Sequence, residues 1–283
     1  ELFLKVKACL EVGWTGEEGA HAGEQQGVHW LREQVRAQLQ PDEDIGLPLR
    51  NLPDDYLMGF TPEMVVRHLR MHRDKSSVLQ QKVLLFPEDR HGSWSLLMLS
   101  RDRQGLLAKL CGVLALHNLS VLAAQIFAWP NGNVVDVLDV VPVANSGFEE
   151  QNWQALEDDL NLAVNYRLDV GLQLHNKLQS AGYHSKRKVQ QLEKKILLDN
   201  NSSGRFTVIE VYGGDRPGTL YQLTQTLSDF RLNIHRARIA TEVEQLIDVF
   251  YVTLEHGGKV EDADLQDKIR QTLLHIIGNE EGE

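Results

Sequence analysis

Residues 206–240, FTVIEVYGGDRPGTLYQLTQTLSDFRLNIHRARIA, decide the fold. The apolar run at 206–212 is rich in β-branched and aromatic side chains, which predicts a strand. The sequence Asp-Arg-Pro-Gly at 215–218 predicts a turn, because proline fixes φ and glycine accepts left-handed backbone. Leucines at helical spacing predict a helix over 220–230, and a second strand follows over 232–240. The stretch is therefore one strand–turn–helix–strand unit.

The same order of elements occurs earlier in the chain. Residues 102–126 align with residues 215–239 at a constant shift of 113, with nine identities in 25 positions. The identities are the Asp, Arg and Gly of the turn, four leucines, one alanine and one isoleucine. Strands are predicted before and after the first copy, and an Asn-Gly pair at 131–132 predicts a hairpin turn. A repeat in register at turn and apolar positions predicts two copies of one βαββα unit.

The fourth strand of each unit is harder to place. After the first copy we predict a long helix over 149–178 and a short strand at 195–198. A βαββαβ unit closes as a four-stranded antiparallel sheet with both helices on one face, so the fold class is α+β and ferredoxin-like. The second copy shows no further strand before the chain ends. We therefore expect its sheet edge to be covered by the first copy or by a partner chain.

Three segments are predicted. Residues 1–82 form a mainly helical and linker segment, in which Thr61-Pro62 marks a helix start. The first repeat occupies 83–200 and the second occupies 201–283. Because the chain begins at Glu1 and not at a methionine, we expect a piece of a longer protein.

Composition argues against several classes of partner. The formal net charge of -11 disfavours nucleic acid, whose binding depends on neutralising phosphates. No apolar run reaches the ~18 residues that a membrane-spanning helix needs. Cys9 and Cys111 are far apart and form no Cys-x-x-Cys motif, which argues against a disulfide scaffold or a thiolate metal site. A cytoplasmic protein fits these features.

Two further groups of charged or titratable residues have competing interpretations. His68 and His72 have the i, i+4 spacing of a two-histidine metal face, but arginines surround them and no Glu follows His68. We expect a solvated helix face, and a metal-using enzyme stays the alternative. The basic run at 186–188 predicts a solvated loop, with docking of an acidic partner as the alternative.

The repeat resembles the ACT domain, a ferredoxin-like regulatory module that binds amino acids. The resemblance covers about residues 92–280 and depends on the Asp-Arg-Pro-Gly turn, the Leu-rich helix and the Leu-Asn-Ile at 232–234. Together with Asp-Val-Phe-Tyr-Val at 248–252, these residues resemble the C-terminal end of the bifunctional uridylyltransferase/uridylyl-removing enzymes. The resemblance implies tandem ACT domains that sense glutamine, with ACT–ACT pairing within or between chains.

The same resemblance implies a parent enzyme that acts on the nitrogen-regulatory signal protein PII. Such a parent has a magnesium-dependent nucleotidyltransferase and a metal-dependent HD phosphohydrolase upstream. The present sequence has no Gly-Ser pair followed by Asp-x-Asp and no His-Asp dipeptide, so we predict no catalytic residues, no metal ligands and no cofactor here. An ACT region of another amino-acid-metabolic or stringent-response enzyme is the alternative.

The expected ligand site follows the turn and the opening of the second strand in each copy. Helix N-terminal amides suit a carboxylate, Asp215 can cap the helix or contact an ammonium group, and Asn233 suits an amide side chain. The first copy has Gln104 and Ser120 where the second has Pro217 and Asn233, so we expect the better site in the second copy. The predicted ligand-binding residues are Asp102, Arg103, Gly105, Leu106, Ser120, Val121, Asp215, Arg216, Pro217, Gly218, Thr219, Leu220, Asn233, Ile234 and His235.

Overall fold

The computed structural model describes most of the chain and divides it into two compact units. The described residues are 20–40, 42–45, 47–143, 152–180, 194–214, 216–242 and 245–278. The units comprise residues 1–75 and residues 76–283. Within the described ranges, no helix has the length and apolar composition to cross a lipid bilayer.

The first unit is helical in its described part. It contains α1 (Ala20–Gln38), α2 (Asp54–Gly59) and α3 (Pro62–Lys75), with a short 3-10 helix at Leu49–Asn51. The predicted start of α3 is confirmed, because Met64 N donates to Thr61 Oγ1 at 3.4 Å and Val65 N donates to the Thr61 carbonyl. The run at 186–188 and residues 1–19 lie outside the described residues.

The expected solvated histidine face on α3 is wrong. His68 and His72 are each only 3% exposed. The Tyr56 hydroxyl lies 2.9 Å from His68 Nδ1, and the Phe60 ring packs against the His68 ring. Burial, with the Arg67 charge second, lowers the pKa of His68 to about 4. In the described parts of the chain, no cluster of three or more His, Cys, Asp or Glu side chains is placed to hold a metal ion.

The second unit begins with a four-stranded antiparallel sheet. Its strands are β1 (Leu84–Asp89), β2 (Trp94–Arg101), β3 (Leu119–Ala128) and β4 (Asn133–Pro142), in the order β1-β2-β4-β3. Helix α4 (Leu106–Leu116) connects β2 to β3. Helices α5 (Trp153–Val164) and α6 (Val170–Ser180) follow β4.

A second sheet repeats this arrangement. Its strands are β5 (Lys195–Asp199), β6 (Thr207–Gly214), β7 (Leu232–Glu242) and β8 (Gln245–Leu254), in the order β5-β6-β8-β7. Helix α7 (Thr219–Asp229) connects β6 to β7, and α8 (Ala263–Gly278) ends the described chain. The bulges also repeat, at Val121/Ala123 in β3 and Ile234/Arg236 in β7. The predicted repeat and the ferredoxin-like α+β class are confirmed.

The placement of the fourth strand was wrong. The strand expected to complete the first copy is β5, which pairs with β6 of the second sheet through Ile196–Val211 and Leu198–Ile209. The first sheet is completed by β1, which pairs with β2 through a tight connection where Arg90 N donates to the Ser93 carbonyl. Each copy therefore runs ββαββα, and the second sheet has its fourth strand. In each copy the fourth strand precedes the repeat and pairs with its first strand, β1 with β2 and β5 with β6. The sheet is therefore complete without a strand after the last helix of the copy.

The predicted long helix after β4 is two helices in the described range that begins at 152. Helix α5 ends where Tyr166 takes a positive φ of 58° and Arg167 N donates back to the Leu162 carbonyl at 2.9 Å. The helix therefore ends at a residue in the left-handed conformation, which is a common C-terminal cap. Helix α6 then begins afresh, with the Leu172 amide donating to Asp169 Oδ1 at 3.0 Å. The break turns α6 toward α4, which it contacts.

The two copies pack against each other within residues 76–283. Helix α4 contacts α7, and the edge strands β3 and β7 lie side by side. Gly112 of α4 allows this approach: a Cβ there would lie 2.7 Å from the Tyr221 ring and 2.3 Å from Val170 Cγ1. Buried apolar side chains of both copies join in one core. The surfaces around the contact of α4 with α7 are therefore shared by both repeats.

Candidate functional site

Two cavities lie along the contact between the copies. Cavity A has a volume of about 150 Å³ and cavity B about 290 Å³, each far above the roughly 10–15 Å³ that one water needs. Cavity A is lined by Cys111, Ala115, Asn118, Leu119, Ser120, Val121, Val143, Leu174, Lys177, Leu178, Arg216, Pro217, Gly218, Leu220, Tyr221, Ile239 and Leu246. Cavity B is lined by Asp102, Arg103, Gln104, Gly105, Leu106, Leu107, Ala108, Ile126, Ala128, Val134, Asp136, Thr224, Ser228, Leu232, Asn233, Ile234, His235 and Glu255.

Each cavity takes its turn from one copy and its strand from the other. Cavity A combines the second copy's turn at 216–218 with the opening of β3 at 119–121. Cavity B combines the first copy's turn at 102–105 with the opening of β7 at 232–235. Neither cavity could form from one copy alone.

This crossed construction separates residues that were expected together. Pro217 and Asn233 were assigned to one site in the second copy, but Pro217 lines cavity A and Asn233 lines cavity B. The reason is that the opening of each second strand points to the partner copy and not to its own turn. The predicted residues in cavity A are Ser120, Val121, Arg216, Pro217, Gly218 and Leu220. Those in cavity B are Asp102, Arg103, Gly105, Leu106, Asn233, Ile234 and His235.

Two predicted residues lie in neither set. Thr219 is 5% exposed and follows Gly218 as the first residue of α7, without lining either cavity. Asp215 lies outside the described residues.

The two turns present the same backbone to their cavities. Gly105 and Gly218 have φ of +72° and +86°, and each directly precedes a helix of 11 residues. Because both N-cap residues are glycines, neither supplies a side-chain cap to the first turn of its helix. Amides at an uncapped helix N-terminus favour an anion such as a carboxylate.

Lys177 lines cavity A and binds the C-terminal end of α4. Its ammonium donates to the carbonyls of Ala115 and Leu116 at 2.8 and 2.7 Å and to Asn118 Oδ1 at 2.6 Å. Burial lowers the pKa of the lysine. The side chain therefore stabilises the C-terminus of α4 and also lines the cavity.

Lys177→Met should lower the free energy of unfolding by about 1–3 kcal/mol, because the carbonyls at the end of α4 lose a charged donor. Denaturant unfolding measures the change. Lys268→Met is the matched control, since Lys268 is exposed on α8 and should change stability by less than about 0.5 kcal/mol. Equal effects of the two substitutions would contradict the role given to Lys177.

Polar side chains of both copies surround cavity B. Gln104 Nε2 donates to the Ser228 carbonyl at 3.2 Å, and Asn233 Nδ2 donates to the Glu255 carbonyl at 3.3 Å. Arg103 donates to the carbonyls of Val164 and Gln80 and is thereby held in place. These contacts fix the walls of the cavity.

The sequence allows two interpretations of His235, as a ligand contact or as the end of a strand edge. Its Nε2 lies 2.9 Å from Thr253 Oγ1, and its ring lies 5.0 Å from that of Phe206. The residue also lines cavity B. His235 is therefore packed and hydrogen-bonded within the sheet, and it is also placed where a ligand in cavity B could contact it.

Sequence reasoning missed Asp136, which lies at the inner wall of cavity B. It is 1% exposed on β4, and its Oδ1 has no hydrogen-bond partner among the described residues. Burial, with the Asp102 charge second, raises the pKa of Asp136 well above the usual value. A signal existed: an acid occupies the same place in both sheets, Asp136 opposite Met98 and Asp248 opposite Val211.

Comparison with known proteins agrees with this architecture. Residues 202–278 match the family model described as the ACR family N-terminal ACT domain. The chain is 31% identical over 97% of its length to the bifunctional uridylyltransferase/uridylyl-removing enzyme of Gluconobacter oxydans. It is 37% identical over 63% of its length to the enzyme of the same name from Azospirillum brasilense. The chain belongs to this enzyme family.

The uridylyltransferase/uridylyl-removing relatives are much longer than this chain. It spans 29% of the length of the Gluconobacter enzyme and 19% of the Azospirillum enzyme. The two sheets of residues 76–283 are the tandem ACT domains of this family member. Among solved structures, aspartate kinase from Synechocystis aligns over 58% of the chain with 14% identity and a TM-score of 0.29, which is too low to add to the assignment.

Proposed function

We propose that this chain is the glutamine-sensing regulatory region of a bifunctional uridylyltransferase/uridylyl-removing enzyme that acts on PII. The observation that carries the proposal is the crossed construction of cavities A and B. A ligand in either cavity contacts both ACT domains, so its binding energy depends on how they are paired. A ligand with different affinity for two pairings shifts the equilibrium between them, which is the requirement for allosteric control.

Cavity B offers complementary groups for glutamine. The uncapped first turn of α4 suits the α-carboxylate, and Leu107 and Ala108 of that turn line the cavity. Asn233 and Gln104 carry both a donor and an acceptor, which suits the ligand carboxamide. Cavity A has a second uncapped turn, with Lys177 and Arg216 as nearby cations. We assign glutamine first to cavity B, because two amide side chains line it, whereas Asn118 of cavity A has its Oδ1 bound by Lys177.

Glutamine in the ACT pair would favour removal of uridylyl groups from PII over their addition, and so control nitrogen signalling. The catalytic domains, with the magnesium ion of the transferase, would belong to the part of the relatives that this chain does not span. The setting expected for such a protein is the cytoplasm.

Asn233→Ala should weaken glutamine binding about three- to tenfold, the loss expected for one hydrogen bond to a neutral amide. Isothermal titration calorimetry on the whole chain measures this. Asn176→Ala is the matched control, because Asn176 is exposed on α6 and lines neither cavity. The control should bind glutamine as the parent does.

The same titration separates the alternatives. Binding of a different amino acid in preference to glutamine would assign the ACT pair to another amino-acid-metabolic or stringent-response enzyme. Binding of glutamine that is unchanged by Asn233→Ala would contradict its placement in cavity B. No binding of any amino acid at millimolar concentration would contradict the sensing role.

A further inference from the structure

The sheet contacts of Asp136 do not explain why a carboxyl group is buried at this position. Its neighbours across β2 and β3 in the sheet register are the apolar Met98 and Ile126. Oδ1 has no hydrogen-bond partner in the described parts of the chain, and a buried polar atom without one costs about 1–3 kcal/mol. An apolar side chain would fill the position at less cost. Asp136 also lines cavity B, so the carboxyl group is placed against a space in which a ligand could pair with it.

The charges around the two cavities differ in sign. Cavity B is lined by Asp102, Asp136 and Glu255, with Arg103 as the cation. Arg103 donates to the neutral carbonyls of Val164 and Gln80 and keeps its charge, so the carboxyl groups that line cavity B outnumber its cation three to one. Cavity A is lined by Lys177 and Arg216, with no carboxylate among the lining residues that the structure describes. A cationic group is therefore favoured in cavity B and disfavoured in cavity A.

We infer that Asp136 is the recognition residue for a primary ammonium group in cavity B, and that it selects ligands carrying a free amine. This assignment deepens the proposed function and rests on it. The ligand ammonium would donate to the Asp136 carboxylate, with Asp102 adding a second negative charge at the mouth. The first turn of α4 would bind the α-carboxylate, which is attached to the same carbon as the amine.

The chemistry of the pair explains why the carboxyl group is kept. Burial and Asp102 raise the pKa of Asp136, so the empty cavity favours its neutral form. An incoming ammonium group supplies the charge that makes the carboxylate stable, and the hydrogen bond between them is charge-assisted. A ligand without the amine leaves Asp136 unpaired. Discrimination of this kind exceeds what apolar contacts supply.

The test compares three probes on the whole chain by calorimetry. The probes are glutamine, its analogue without the amino group (glutaramic acid), and its analogue without the carboxylate (4-aminobutanamide). The parent chain should bind glutaramic acid at least about tenfold more weakly than glutamine. Asp136→Asn, which keeps the size of the side chain, should lose that discrimination. Asp139→Asn is the control, since Asp139 is exposed on the same strand.

The outcomes distinguish a failure of the amine assignment from a failure of glutamine sensing. Equal binding of glutamine and glutaramic acid by the parent, or discrimination that survives Asp136→Asn, would overturn the amine assignment and leave glutamine sensing standing. Binding of 4-aminobutanamide through Asp136 without any preference for glutamine over other amines would support the amine assignment and contradict glutamine sensing. Binding of none of the three probes would overturn both.

Discussion

Gly112→Ala should lower the free energy of unfolding of residues 76–283 by about 2–3 kcal/mol, the upper range for added volume in a packed core. The new Cβ would lie 2.3 Å from Val170 Cγ1 and 2.7 Å from Tyr221 Cδ2. Both distances are well below contact, so α4 must move away from α6 and from α7. The cost arises where the two ACT domains meet, and denaturant unfolding measures it.

Two further variants identify the cause of that loss. Gly204→Ala should be neutral or slightly stabilising, because Gly204 has no atom within 4 Å of an added Cβ and needs no positive φ. Val170→Ala should recover part of the loss when combined with Gly112→Ala, since it removes the nearest atom. A Gly112→Ala protein as stable as the parent would show that α4 and α7 do not pack this closely.

Asp136→Asn should raise the free energy of unfolding by about 1–3 kcal/mol at pH 7, even though it removes the proposed ligand contact. At pH 7 the parent must either bury a charged carboxylate or take up a proton on folding, and the amide variant does neither. A gain in stability with a loss of binding is the pattern expected of a residue retained for function. The two measurements together distinguish a binding residue from a structural one.

The gain should depend on pH with a definite sign. Because the pKa of Asp136 is raised in the folded state, the folded chain holds a proton that the unfolded chain releases above about pH 3.9. Folding is then favoured below that pH and loses free energy as pH rises toward the folded pKa. The difference between Asp136→Asn and the parent should therefore vanish near pH 4 and grow with pH.

Other titratable groups near Asp136 set the control for this experiment. Asp102, His235 and Glu255 line the same cavity. Burial raises the pKa of Cys111 on α4, followed by the charges of Asp248 and Asp136. All of them are present in both the parent and the variant, so the difference isolates Asp136 and its coupling to them. Asp139→Asn should leave stability within about 0.5 kcal/mol at every pH. A stability difference that is constant from pH 4 to pH 8 would contradict the buried, uncompensated state of Asp136.

Most of the order of helices and strands could be predicted from the sequence, because the turn and the apolar positions occur in both copies of the repeat. The errors came from long-range choices. The strand at 195–199 has an apolar pattern that fits either sheet, and only its pairing with β6 decides the matter. Strand β1 contains Pro87, which is tolerated at a sheet edge but weakens a strand prediction.

The composition of the site was readable, but its assembly was not. Turn chemistry identified Gly105 and Gly218, whose positive φ follows from local backbone rules. Each turn faces the second strand of the other copy because α4 packs on α7. Local sequence patterns do not encode that packing. The burial of His68 was likewise hidden, because Tyr56 and Phe60 cover it from outside α3.

A crystal structure of the chain grown with saturating glutamine tests the shared cavities most directly. We predict one glutamine in cavity B, between the turn at 102–105 and the β7 opening at 232–235, with its ammonium group on Asp136. Glutamine held by residues of a single ACT domain, or cavity B empty at saturation, would contradict a sensor built from both domains.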